Sequence, residues 1–462
     1  MLRYSRRFLY LLPVPLIRGL LHIHSPQGLY TWLRGGWIDL LAAALLLLLA
    51  GLAWWRHTYR LTTDSLTLRR GILLRRTTVI PLRHITTLTA ERRLLYRPFG
   101  AVQVTVDTEA GYHRIADATL LVGRQQEALF LPAENAASGL RPVAGRLVLL
   151  SLLFSNSLSG ILLLAVLLRQ LGILLGESVQ QLVLDNLQAA ADRVAIIPRT
   201  AALLGLILLG GWLVTAAGHL LRHLPFTARQ QGETLVISTG WLTRRTHTCG
   251  LDAVHYTDHR QTLAARLLKK TTIYISCTGY GKDKNTLAVL IPPTGYARAE
   301  RELAGLLPER MPVPVTVRPT PTALWRYCRA PALVGLGIGL FGQRLVALLP
   351  TWATVAAPLV WLGIIPCLWL LAVRLLALRH TGIGYQKGRL TLCLCRRLTL
   401  HQVTVPLSHI TAVQVRQSPF QRWFGRCDVL VYTANEYRHP HRIRQLPLDA
   451  VEKLNKLFRK EE

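Results

Sequence analysis

The chain has 462 residues, enough for about three or four domains, and 51% of them are hydrophobic, a share few soluble proteins reach. It also carries 55 Lys+Arg against 24 Asp+Glu, a net +31 that hydrocarbon cannot hold. An ordinary soluble domain and a wholly buried bundle are both excluded. Apolar spans must alternate with basic, water-facing blocks. Seven scattered cysteines without a CxxC pair argue against a disulfide framework or a zinc site.

In chain order, Arg3, Arg6 and Arg7 precede the apolar run Phe8–Leu21. That run is interrupted by Arg18 and followed by no small-x-small cleavage pattern, so it reads as an uncleaved membrane segment. Trp37–Trp55 has an indole at each end, where interfaces favour them. Residues 1–55 are therefore expected to form a first membrane hairpin, followed by a basic polar block at 56–132. Leu147–Leu168 and Ala201–Leu221 suggest a second hairpin within 143–222. In it Ser151, Ser155 and Ser159 recur every fourth residue around Asn156, the pattern of a helix-contact stripe. A second polar block covers 223–308 and a Pro-rich linker 309–322. Pro331–Pro350 and Trp352–Val373 form a third hairpin within 323–378, where Gly335 and Gly339 make a GxxxG packing face. The last polar block is 379–462.

Paired spans return the chain to one face, and arginines crowd the segments on that face. The loop 176–192 holds Glu177, Asp185 and Asp192 with no Lys or Arg. The positive-inside rule then places the polar blocks in the cytoplasm of a bacterial cell, with the spans in its plasma membrane.

The three polar blocks repeat one another. "LLYRPFG" at 94–100 returns as "FQRWFG" at 420–425. Gly71 matches Gly240, and Pro81 matches Pro406 with Gly250 between. Arg97, Arg266 and Arg422 share one position, and Phe99-Gly100 matches Phe424-Gly425 with Leu268-Lys269 in the middle copy. Segments such as "VQVTV", "TIYIS" and "DVLVYT" read as strands, and each copy closes on a helical pattern. A membrane hairpin, a "G-(L/I)-L-x-R-R…P-L-x-x-I…R-x-F-G" block and a closing helix resemble the bacterial pleckstrin-homology (PH) family. The triple arrangement is similar to its YdbT-like membrane proteins. The resemblance implies a mixed membrane protein, in which α-helical hairpins alternate with three PH-like β-barrel domains, each closed by a C-terminal helix. It implies no catalytic, cofactor or metal residues.

The residues themselves agree on chemistry. There is no phosphate-loop, HExxH or GxSxG motif, and "GLGIGL" at 335–340 lies within a span. His84 and His409 share one repeat position beside an isoleucine, a pattern more often structural than metal-binding. The remaining candidates are arginines at the first turn of each copy: Arg69, Arg70, Arg75 and Arg76, then Arg244 and Arg245, then Arg396 and Arg397. Near an anionic leaflet each such charge contributes about 1 kcal/mol, although basic residues collect on any cytoplasmic face. Nucleic acid is disfavoured, since no reading helix or stacking platform is evident. The expectation is a non-enzymatic membrane scaffold or adaptor, partnered by anionic headgroups, another membrane protein or itself. The alternative is a transporter, or an envelope-stress or antimicrobial-defence protein, acting through its hairpins.

Overall fold

The fold is described from a computed structural model over residues 55–71, 75–109, 116–130, 139–155, 177–192, 199–277, 288–348, 353–396, 398–434 and 440–458, with isolated positions elsewhere. The expected span Phe8–Leu21 lies outside the described residues, as does much of Trp37–Trp55.

The chain divides into two compact units, Met1–Ile85 and Thr86–Glu462. The first contains an antiparallel sheet of β1 (Thr58–Leu61), β2 (Ser65–Arg70) and β3 (Arg76–Pro81). Leu66, Leu68 and Ile80 are its buried positions, and the alternation of "SLTL" puts them on one face.

In the second unit, repeat 1 continues as β4 (Ile85–Arg92), β5 (Ala101–Thr108) and β6 (Ala118–Gly123). Helices α1 (Ala144–Phe154), α2 (Glu177–Asp192) and α3 (Arg199–His223) follow. Repeat 2 comprises β7 (Phe226–Gln231), β8 (Thr234–Thr239), β9 (Arg244–Gly250), β10 (Val254–Thr262), α4 (Leu263–Leu267), β11 (Lys270–Cys277), β12 (Val289–Gly295) and α5 (Tyr296–Leu306). The helices α6 (Leu324–Leu348) and α7 (Ala353–His380) lead into repeat 3: β13 (Gly382–Gln386), β14 (Arg389–Arg396), β15 (Thr399–Pro406), β16 (Ile410–Arg416), α8 (Pro419–Trp423), β17 (Arg426–Thr433), β18 (His441–Pro447) and α9 (Leu448–Phe458).

Local chemistry explains the turns. The β13–β14 loop is two residues, Lys387 and Gly388, both with positive φ, which suits the right-handed twist of a hairpin. The repeated "FG" is a left-handed stop after a short helix. Gly100 and Gly425 have φ of 55° and 59°, and Lys269 holds the same conformation at 53°. The middle copy thus keeps the backbone of the motif after losing its glycine.

Each repeat was expected to close its own barrel. Instead the sheets run across repeats. One six-stranded sheet has the order β6-β5-β4-β9-β8-β7, joining repeat 1 to repeat 2. A second, β12-β11-β10-β15-β14-β13, joins repeat 2 to repeat 3. The remaining strands, β16-β17-β18, form a three-stranded sheet. The physical reason lies in the strand edges: β4 and β10 each pair outward with the third strand of the following repeat, so the sheet is extended rather than folded shut. The register is the same at both seams. Leu88 lies opposite Thr248 and Thr257 opposite Thr404, equivalent positions in the repeats.

The hydrophobic cores are nevertheless drawn mainly from single repeats. Leu235, Ile237, Ile273, Leu290, Ile291 and Leu303 pack together in repeat 2. Leu390, Leu392, Val405, Val429, Ile443 and Leu446 do so in repeat 3. Each such side chain, fully buried, contributes about 1.5–3 kcal/mol.

Among the described residues, three helical stretches are long and apolar enough to cross a membrane: Gly205–His223, Pro321–Leu348 and Val360–His380. Leu147–Leu168 departs from its expected single span. Helix α1 ends at Phe154, and Ser155 is extended. Leu147 and Leu150 are buried in the core of repeat 2, because α1 packs there and Arg146 bonds Glu302 at 2.8 Å and the Pro292 carbonyl at 3.0 Å. The Ser151 and Ser155 hydroxyls donate to Leu147 and Leu152 carbonyls of their own helix. Asn156 and Ser159 lie outside the described residues. On α6, Gly335 and Gly339 face Cys367 and Ile364 of α7, and a Cβ on Gly342 would overlap Val360.

Candidate functional site

Each seam carries a buried acid. Asp258 on β10 is 3% exposed. Its carboxylate accepts from Arg260 Nε at 2.6 Å and from His401 Nδ1, across the seam on β15, at 2.9 Å. Burial opposes its charge, but the interactions with His401 and Arg260 outweigh burial and hold the carboxyl well below the usual carboxylate range. Arg260 also lies over the Tyr274 ring, 4.0 Å from its centroid. Beside it, burial lowers His259 to about 4 against the opposing pull of Asp258.

The other seam repeats the device with different residues. Glu91 on β4 accepts from Arg93 at 2.7 Å and from Arg245 on β9 at 3.2 Å. Thr89 bonds His247 Nδ1 at 2.9 Å, and burial lowers that histidine to about 3. Both acids are already paired with cationic or imidazole partners along and across the strands, so these clusters act as joints between strands. Among the described residues no group of three or more His, Cys, Asp or Glu could hold a metal.

The arginines singled out by the sequence fall in different settings. Arg69, Arg70, Arg75 and Arg76 crowd the exposed end of the β2–β3 hairpin, with Arg70 opposite Arg76. Arg244 and Arg245 do not sit in a free turn. They lie in the β4·β9 seam opposite Arg92 and Glu91. Arg396 ends β14 and is exposed; Arg397 lies outside the described residues. Among the repeat arginines, Arg97 donates across repeats to the Trp241 carbonyl at 2.8 Å, in the turn that Gly240 opens with φ 94°. Arg266 lines a cavity of about 460 Å³ with Arg318, Arg379 and His380. Arg422 and Phe424 are exposed on the far side of the same motif in repeat 3. Gly71 keeps a positive φ of 119°, and Pro81 and Pro406 end their strands.

A second basic cavity, of about 260 Å³, was not legible as a site. It gathers Arg326 and Arg329 from α6, Arg374 from α7, and Arg442 and Arg444 from β18. Asp428 is its acid, and that carboxylate is already occupied. It accepts from Arg442 at 2.8 Å, Gln421 at 2.6 Å and the Gln445 amide at 3.0 Å. The sequence counts Arg326 and Arg329 only as charge flanking a span. The usable signals were spacing: i,i+3 on a helix and i,i+2 on a strand put each pair on one face.

Three successive segments, 14–140, 160–330 and 333–462, each match the bacterial PH domain family. The chain belongs to that family. No curated protein matches it, and no solved structure does. As a bacterial PH-domain protein it has three tandem copies, which agrees with the repeat found in its residues and indicates no enzymatic family.

Proposed function

We propose that this bacterial PH-domain protein is a non-enzymatic integral membrane scaffold. Its helical hairpins anchor it in the plasma membrane, and its β-rich repeats form one cytoplasmic platform for anionic headgroups or a membrane partner. The observation that carries the reading is the pair of shared sheets. Within the second unit, strands of successive repeats are fused edge to edge in one register, so these sheets present surfaces in fixed relation rather than as modules on loose tethers. Large apolar side chains exposed around α6 and α7, Leu336, Phe341, Trp361 and Ile365 among them, support insertion in lipid. The α6–α7 contact through Gly335, Gly339 and Gly342 is made of small and aliphatic groups, which favours an anchor over a polar transport path.

Hydrogen exchange of the full chain in nanodiscs tests this. Amides of β4, β9, β10 and β15 should exchange together and slowest, as one body. Amides of the β2–β3 hairpin, bearing Arg69, Arg70, Arg75 and Arg76, should gain protection in anionic nanodiscs and lose it in high salt. Independent exchange of the two seams would overturn the single platform. Equal protection in neutral and anionic discs would remove headgroup docking at that hairpin and leave a protein partner.

A further inference from the structure

We infer that the arginine cavity between the feet of α6 and α7 and the strands of repeat 3 binds the phosphate of an anionic glycerophospholipid. The inference rests on the membrane reading above and names a specific lipid site within it. Three features converge. First, five arginines face one acid, and Arg442 already bonds that acid. Arg326, Arg329, Arg374 and Arg444 have no hydrogen-bonded carboxylate among the described residues. Guanidinium groups converging from two helices and a strand match a phosphate with several oxygens better than any single carboxylate.

Second, the cations are crowded against their own interest. Arg444 is held below the ordinary guanidinium value by partial burial and then by the charges of Arg442 and Arg374. An anion placed among them would relieve that repulsion. The backbone is also set there at a conformational cost. Gln445, 4% exposed, adopts a left-handed φ of 62°, and its amide donates to Asp428. This keeps the acid turned toward its own donors.

Third, the cavity is polar on one side and apolar on the other. Pro331 of α6 and Leu370 of α7 line it. Beyond them, Leu333, Val334, Leu368 and Trp369 are exposed along the helices. A headgroup phosphate in the arginine nest leaves acyl chains free to lie along that surface. Inorganic phosphate would use the nest alone, so the apolar wall selects the lipid source.

The experiment is native mass spectrometry of the full chain, delipidated in a neutral detergent. It is offered phosphatidylglycerol, phosphatidylcholine or inorganic phosphate. One phosphatidylglycerol should be retained with at least a tenfold preference over phosphatidylcholine, and millimolar inorganic phosphate should not displace it. Arg374→Gln/Arg444→Gln should lower retention at least tenfold. If that variant fails to fold, Arg326→Gln/Arg329→Gln on the exposed face of α6 reads the same site. Arg301→Gln, at an exposed arginine of α5 outside the cavity, should retain lipid as the wild type does. Equal retention of both lipids, or unchanged retention in the cavity variants, would overturn the inference. Displacement by inorganic phosphate would assign the nest to a free anion and likewise overturn the lipid. Slow, joint exchange of the seam strands in the same preparation would show that the scaffold stands although the cavity reading fell.

Discussion

Strands β10 and β16 hold the same place in their repeats and meet opposite fates. β10 is sandwiched between β11 and β15, with Thr257, Asp258 and His259 all at or below 3% exposure. Among the described strands β16 pairs with β17 alone, and Val413 and Val415 are 42% and 41% exposed. The difference is made by what comes next in the chain. The third strand of repeat 3 covers β10, and among the described strands none covers β16 in this way. Side chains record the difference. Asp258 and Arg260 form a buried pair in the seam, while the equivalent Gln414 and Arg416 meet each other on an exposed edge at 3.2 Å. A charged residue on a free edge discourages unwanted strand addition.

The largest effect should come from breaking the joint at Asp258. Asp258→Ala would strand Arg260 and His401 without their common acceptor. It should cost about 3 kcal/mol of the opening free energy read from exchange of β10 amides. Gln414→Ala, at the matching edge position, should stay within about 0.5 kcal/mol. Equal costs would show that the seam charge is no more integral than surface polarity.

Next comes pH. His259 is buried with its value lowered from 6.5 to about 4, and burial lowers His255 and His441 to about 4 as well. Each is lower folded than unfolded, so as pH falls the unfolded chain takes up protons first. The stability held in these neutral rings is complete above pH 6.5 and is lost between 6.5 and about 4. Asp258, also lowered, acts in the same direction at still lower pH. Exchange of β10 amides should accelerate through that window by an amount worth about 3 kcal/mol for His259 alone. His259→Gln should flatten part of the slope.

The repeat, its strand patterns, its closing helices and the apolar helices were legible because they are local. Period, β-branched runs and turn glycines lie within a few residues of one another. The "FG" motif was legible even where its letters are lost, since Lys269 keeps the left-handed φ. The seams were not legible. Which edge β4 or β10 pairs with is decided about 150 residues away in sequence, as with Asp258 and His401. Hence Arg244 and Arg245 read as turn charge although they belong to a seam. The arginine cavity was hidden for the same reason: its walls come from α6, α7 and β18. The Leu147–Leu168 run misled because hydrophobicity does not say whether a leucine meets lipid or a β-core.

That left-handed stop gives a smaller test across repeats. Lys269→Gly should stabilise by about 0.5–1 kcal/mol, because a side chain at positive φ is strained where glycine is not. Gly425→Ala should cost about the same. Both read out as shifts in local exchange of β11 and β17. If Lys269→Gly were neutral, a compensating contact of the lysine chain would have to hold the turn.

The smallest effect on folding should be at the free edge itself. Val415→Lys adds a charge to a side chain already 41% exposed, on a strand with one described neighbour. Stability should move by less than about 0.5 kcal/mol, while self-association of the full chain in detergent, followed by light scattering, should fall if the valines promote edge pairing. The equivalent change in the seam, His259→Lys, buries an unpaired ammonium beside β15 and should cost several times more. Should the two lysines cost the same, β16 would be covered in the working protein, and its open edge would then be the place to look for whatever covers it.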